Sequence, residues 1–348
     1  MSEPALDASG DMLRETTARV LRNLVTDAAR AQMAGGALPL ALWSALEELG
    51  LPYALLPEDA GGFGAPLAQA LSLLAVAGEH ALPLPLADAM LARLLLAKAG
   101  VEAPQGMLAL APGAEVALDG RGRASGWAWG VPWGRHAAAV VIVCETPGGP
   151  VILAAPQSAL KIEPGADIAG DPSDTIRFEA VASAPAPFGV LEARAAGAAT
   201  RALMIAGALS AVTAMTTQYA GERQQFGRAI GKFQAVQQNL AVLAGQSASA
   251  AAAADFAADA VAAWGPGLVP AVAAAKLRCG EAAGLGAAIA HQTHGAIGFT
   301  REHRLHRYTL RLSAWRDAYG REAEWARYLG RHVLAAGPEG LWPALTAL

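Results

Sequence analysis

From residue 190 to its end the chain is written in four long helical runs, 190–221, 232–263, 268–295 and 302–335, the first three rich in alanine and poor in charge. Segments of that length are beyond the usual reach of strands. Helices so apolar are stable only when neighbouring helices cover them, which constrains this half to a helix bundle. Its alanines and glycines permit close helix-helix approach. Gly265, Pro266, Gly267 and Pro270 mark one turn, and residues 294–300 another. The densest polar island of this half, 221–238, reads GERQQFGRAIGKFQAVQQ. In it, Arg223 offers a planar fork suited to phosphate oxygens. Phe226 offers a face for a flat ring. Gly227 and Gly231 let the chain turn or approach a ligand. A solvated helix-helix turn uses the same residue types, so the residues alone leave both readings open.

Upstream, the spacing predicts helices over 11–35, 43–49, 67–78 and 86–99, with Gly50, Pro52, Pro83 and Pro85 as breaks. Near residue 105 the character changes. Segments 107–111, 115–118, 138–144, 150–155 and 175–181 are short and separated by Gly, Pro and Asp. Val140-Val141-Ile142-Val143 and Val151-Ile152-Leu153 read as buried strands across a Pro147-Gly148-Gly149-Pro150 turn. The expectation is an α+β multidomain fold. It has an N-terminal helical domain (1–104), a small middle β domain (105–188) and a C-terminal four-helix bundle (189–348).

The 348 residues suffice for several domains and a large core. With 54% hydrophobic residues, 16% charged ones and a net charge of −4, the chain has no footprint for nucleic acid. Cys144 and Cys279 lie far apart, which points to reduced thiols in a cytoplasmic protein. The acidic N-terminus lacks the order of a signal peptide. Charges interrupt the apolar runs, Asp88, Arg93 and Lys98 in one and Arg194 and Arg201 in another, which argues against a membrane span. The positive mean hydropathy points instead to helices buried at an oligomer interface.

Three ordered segments resemble the acyl-CoA dehydrogenase family. Residues 223–237, RQQFGRAIGKFQAVQ, resemble the RxxFGxxIxxFQxxQ signature of the family's C-terminal helical domain. Residues 292–302, QTHGAIGFTRE, resemble its QxxGGxGFxxE loop, with Ala296 in place of the second glycine. Residues 47–64, EELGLPYALLPEDAGGFG, resemble the N-terminal LGL…PEEYGGxG segment. The resemblance implies FAD, held across a dimer interface by Arg223, Phe226, Gln234, Gln292 and Gly295. It also implies an acyl-CoA substrate, α,β-desaturation, homo- or hetero-oligomers and an electron-transfer flavoprotein as electron acceptor.

The chain departs from the family in two places. The middle domain lacks the TExxxGSD-like and WITN-like stretches. Residues 126–133, GWAWGVPW, stand near the place of the second, and their three tryptophans serve either a flat ring or the core. The catalytic glutamate is missing too. Its commoner position falls on Tyr319, and the rarer one falls near Gly197, with Glu192 the nearest acid. Tyrosine, with an unperturbed pKa of about 10, is a poor base. Asp317 is the candidate base, Glu322 a second choice, and an ion pair with Arg316 the alternative role for Asp317. Loss of the base also fits a degenerate subunit that lends its FAD contacts to a partner chain. His291, His294, His303 and His306 have no carboxylate at metal-binding spacing and read as helix-surface histidines.

Overall fold

A computed structural model describes residues 3–33 and 36–346. Helices α1 (Glu3–Leu24), α2 (Asp27–Met33), α3 (Leu40–Glu48), α4 (Leu67–Glu79) and α5 (Leu86–Lys98) come first. Strands β1 (Leu108–Leu110), β2 (Ala114–Leu118), β3 (Arg123–Pro132), β4 (Ala139–Thr146), β5 (Gly149–Pro156), β6 (Leu160–Glu163), β7 (Ser173–Ala182) and β8 (Ala184–Pro185) follow. The rest is helical, with α6 (Val190–Glu222), α7 (Gln234–Ala263), α8 (Leu268–His294), α9 (Leu305–Asp317) and α10 (Glu322–Thr346). A two-residue hairpin, β9 (Gln224–Gln225) and β10 (Arg228–Ala229), interrupts them.

Contacts gather the chain into two units. The first comprises Met1–Gly10, Arg22–Ala70 and Pro83–Gly197. Its strands form two four-stranded sheets, in the orders β1-β4-β5-β8 and β2-β3-β7-β6. All pairs are antiparallel except β1 with β4. The predicted hairpin is present, with Thr146 opposite Gly149. Helix α5 is buried from Leu86 to Leu96. Arg93 is buried with it because Nη2 donates to the Gly106 carbonyl at 2.6 Å and the guanidinium lies 4.4 Å from the Tyr53 ring centre. Asp174, fully buried, accepts from the Arg135 and Gly165 amides at 2.7 and 3.1 Å and pairs with the Arg135 guanidinium. The tryptophan-rich stretch lies in β3 and the turn after it. Trp127 and Trp129 are exposed, whereas Trp133, left-handed at φ 55°, is buried.

The second unit comprises Asp11–Leu21, Leu71–Leu82 and Ala198–Leu348. Here α4 and α6 meet backbone to backbone. A Cβ on Gly78 would collide with the Met204 carbonyl, and one on Gly207 with the Ala75 carbonyl. Gly286 of α8 meets a side chain rather than backbone, its Cβ position 2.7 Å from Leu209 Cδ2. Gly78 and Gly207 each remove the one carbon that would hold α4 and α6 apart.

Two predicted helices are broken. Residues 11–35 divide at 25–26. The 302–335 run divides at 318–321, where Tyr319 and Gly320 take φ values of 57° and 109°, giving α9 and α10, and α10 is itself kinked at the non-helical Gly337. Lys276, buried on α8, secures that break by donating to the carbonyls of Arg316 at 2.6 Å and Gly320 at 2.9 Å. Burial pushes its amine down to about 8.

Candidate functional site

Arg223 follows the last turn of α6, its amide donating to the Tyr219 carbonyl at 2.9 Å. The hairpin β9–β10 then reverses the chain with Gln225 opposite Arg228. Its two turn residues, Phe226 and Gly227, have φ of 52° and 77°. That is the sign a type I′ two-residue hairpin demands at both positions, and glycine meets it freely. Phenylalanine meets it only under strain. Phe226 is nevertheless 92% exposed, with one ring edge against Phe233 at 6.1 Å. A strained aromatic held out in water is a feature of sites rather than of packing. Arg228 lies over Phe233 at 4.2 Å, and exposed Gln234 opens α7 just beyond.

The second motif closes α8. Gln292 is exposed on its last turn, and Gly295 ends the helix at φ 64°, ψ −144°, with open space where a Cβ would lie. Tyr219 brings the two motifs together. Its ring stacks on His294 at 4.4 Å, and its hydroxyl donates to the His294 carbonyl at 3.3 Å. Arg223, Phe226, Gln292 and Gly295 thus belong to one end of one bundle. Residues 223–232 carry Arg223, Arg228 and Lys232 without an acid, and Arg301, Arg304 and Arg307 outnumber Glu302 in the next loop. This local positive charge, in a chain of net charge −4, suits a diphosphate.

The histidines are not all surface groups. His294 is buried, with Nδ1 donating to the Ala290 carbonyl at 2.8 Å. His303 lies 4.6 Å from it, ring to ring, and His291 stacks on the 72% exposed Phe299 at 4.3 Å. The sequence reading missed this stack. Its one signal was Tyr219, a helical turn ahead of Arg223. Among the described residues no His, Cys, Asp or Glu cluster is arranged to hold a metal.

Asp317 is the last residue of α9. Its Oδ2 accepts from Arg321 Nη2 at 2.8 Å, with more than half of each side chain exposed. Arg316 pairs instead with Glu322 at 2.6 Å, in room left by Gly280 and Gly284 of α8. Glu322 is therefore committed to an ion pair, and its carboxyl is held below the usual range: burial, the largest single effect, opposes the shift, and the Arg316 hydrogen bond and charge, a backbone amide and the Lys276 charge together outweigh it. Tyr319 is buried with its ring 5.2 Å from the Arg201 guanidinium.

The profile of the acyl-CoA dehydrogenase C-terminal domain matches residues 190–332. The acyl-CoA dehydrogenase IpdE2 of Mycobacterium tuberculosis (strain ATCC 25618 / H37Rv) is 32% identical over 321 residues, covering 86% of this chain and 89% of the relative. A variant of the Tcur3481-Tcur3483 steroid ACAD superposes with a TM-score of 0.87 at 25% identity, covering 95% of this chain and 99% of that one. The ChsE4-ChsE5 complex from Mycobacterium tuberculosis gives 0.85 at 23%, covering 94% and 98%. The chain belongs to the acyl-CoA dehydrogenase family. It is an oxidoreductase of that family, and FAD is its cofactor.

Proposed function

We propose that this chain is the nucleotide-holding subunit of a heteromeric, cytoplasmic acyl-CoA dehydrogenase, and that a partner chain supplies the base. The observation that carries the reading is the joining of the Arg223 hairpin to the Gln292–Gly295 loop through Tyr219. In this reading Arg223 forks onto a diphosphate oxygen, and Gln292 offers it both a donor and an acceptor. Gly295 admits the ligand to the backbone, Phe226 presents a ring to the adenine, and Gln234 adds a polar contact. When bound, FAD supplies an acceptor for the hydride that leaves the β carbon. The α proton needs a carboxylate in a dry site, and Tyr319 does not provide one.

The pairing of two chains in the Tcur3481-Tcur3483 name supports the heteromeric reading, and its steroid label suggests the acyl-CoA ester of a fused-ring substrate. Electrons then pass to an electron-transfer flavoprotein. A second reading places the base in this chain at Asp317, two residues before the family's position.

Asp317→Asn separates the two. If Asp317 is the base, turnover is abolished while flavin stays bound. If the partner supplies the base, turnover by the co-purified complex is unchanged. Arg223→Ala tests the cradle: full retention of the flavin absorbance after gel filtration would remove Arg223 from it.

A further inference from the structure

We propose that Tyr219, His294 and His303 form an acid-labile clasp, which keeps the 292–303 loop in its nucleotide-presenting shape only while both imidazoles are neutral. The clasp itself stands on the stack, whereas its consequence for the nucleotide rests on the function proposed above. The hydrogen bonds fix the protonation each ring needs. His294 Nδ1 donates to the Ala290 carbonyl, which leaves Nε2 unprotonated in the neutral ring, buried and without a hydrogen-bond partner. A proton added there has no hydrogen-bond acceptor among the described residues. His303 Nδ1 accepts from the Leu305 amide at 3.2 Å, at the first residue of α9. Protonation turns that acceptor into a donor facing a donor, and sets a cation at the positive end of a helix. The rings are 4.6 Å apart, so the two charges would also repel.

The surroundings do not offset this. From α6 the stack meets Tyr219. From α8 it meets His291, itself bonded through Nε2 to Thr309 Oγ1 at 2.9 Å. From α9 it meets His306, whose Nδ1 donates to the His303 carbonyl at 2.6 Å. Arg304 and Glu302, both exposed, flank His303 in sequence. Burial pushes His294, His303 and His291 below the usual histidine value, and the neighbouring histidines push His303 and His291 further, with Arg304 adding to the effect on His303. The folded loop thus binds fewer protons than the opened one. The clasp is complete above about pH 6.5 and weakens as pH falls below it.

Hydrogen exchange of the full chain at pH 7.5 and 5.0, corrected for intrinsic rates, tests this. Peptides across residues 291–305 should open by about tenfold or more at pH 5.0, the effect of a difference of about one bound proton acting over one pH unit, while those of α8 before residue 285 stay protected. His303→Asn keeps an acceptor for the Leu305 amide without a titrating ring, and should cut the acid effect to under about threefold. His294→Leu should cut it as well. An acid effect absent from the wild type, or undiminished in both variants, would overturn the clasp. Flavin absorbance read alongside separates the two claims. FAD retained on an opened loop overturns the proposal. A loop that opens in acid in a chain that binds no FAD at any pH upholds the clasp and sinks the functional reading.

Discussion

Helices α6 and α7 are both long and apolar enough, by length and composition, to cross a membrane, yet they have opposite fates. Of the most apolar stretch of α6, 89% is buried within the chain, and of that of α7 only 22%. The cause lies in their neighbours. Helix α6 has α4 on one side, through Gly78 and Gly207, and α8 on another, through Leu209 and Gly286. Helix α7 packs along α8, and residues 234–254 carry no charged side chain although many of them face solvent. Apolar composition thus marks α6 as a core helix, whereas in α7 it marks a face that this chain does not cover. An uncharged exposed face of that extent is characteristic of association, which supports the oligomeric reading.

The comparison is broken most sharply at Gly207. Gly207→Ala puts a carbon inside the Ala75 carbonyl, where only backbone movement can make room. We expect a loss of about 3 kcal/mol or more, read by chemical denaturation. Little or no loss would mean that α4 and α6 are not in backbone contact. Arg223→Ala leaves both helices alone and touches only the site, so FAD affinity should fall by about tenfold to a hundredfold while stability stays within about 0.5 kcal/mol. A titration monitored by flavin fluorescence measures it. Ala248→Glu places a charge on the exposed face of α7. Folding should change by no more than about 0.5 kcal/mol. If a second chain covers this face, the buried unpaired charge weakens assembly by about tenfold or more, read by mass photometry across a dilution series. Assembly unmoved by the charge would return α7 to plain surface.

The helical half was legible because unbroken helix-forming stretches persist over runs far longer than any strand. The β4–β5 hairpin was legible from two β-branched runs around Pro147-Gly148-Gly149-Pro150. The break at Tyr319 was not, because a left-handed tyrosine contradicts local preference. It persists because Lys276, distant in sequence, secures the carbonyls on either side. Strand β3 was missed for a related reason: tryptophans spaced by small residues, with bulges against β7, do not show clean alternation. At the site, Arg223 and Phe226 stood out in the polar island 221–238 by their chemistry, whereas Gln292 was named from the resemblance alone. Their joining through Tyr219 and His294 is a long-range contact that no local pattern encodes. The alternative ion pair of Asp317 with Arg316 failed because Arg316 turns toward Glu322 and Asp317 toward Arg321, one helical turn on.

The smallest effect is the most discriminating. Gly245 lies inside α7 with nothing within 4 Å of a Cβ position, so Gly245→Ala makes the same chemical change as Gly207→Ala in the opposite setting. The new methyl meets no atom of this chain, and alanine removes backbone freedom that glycine retains in the unfolded state. The isolated chain should gain about 0.5–1 kcal/mol. The gain should be the same at every protein concentration if α7 faces only water. It should shrink or reverse as assembly proceeds if another helix approaches closely enough to need the glycine. Denaturation midpoints at several concentrations, with and without a co-expressed homologue, decide between a helix left bare and a helix waiting for its neighbour.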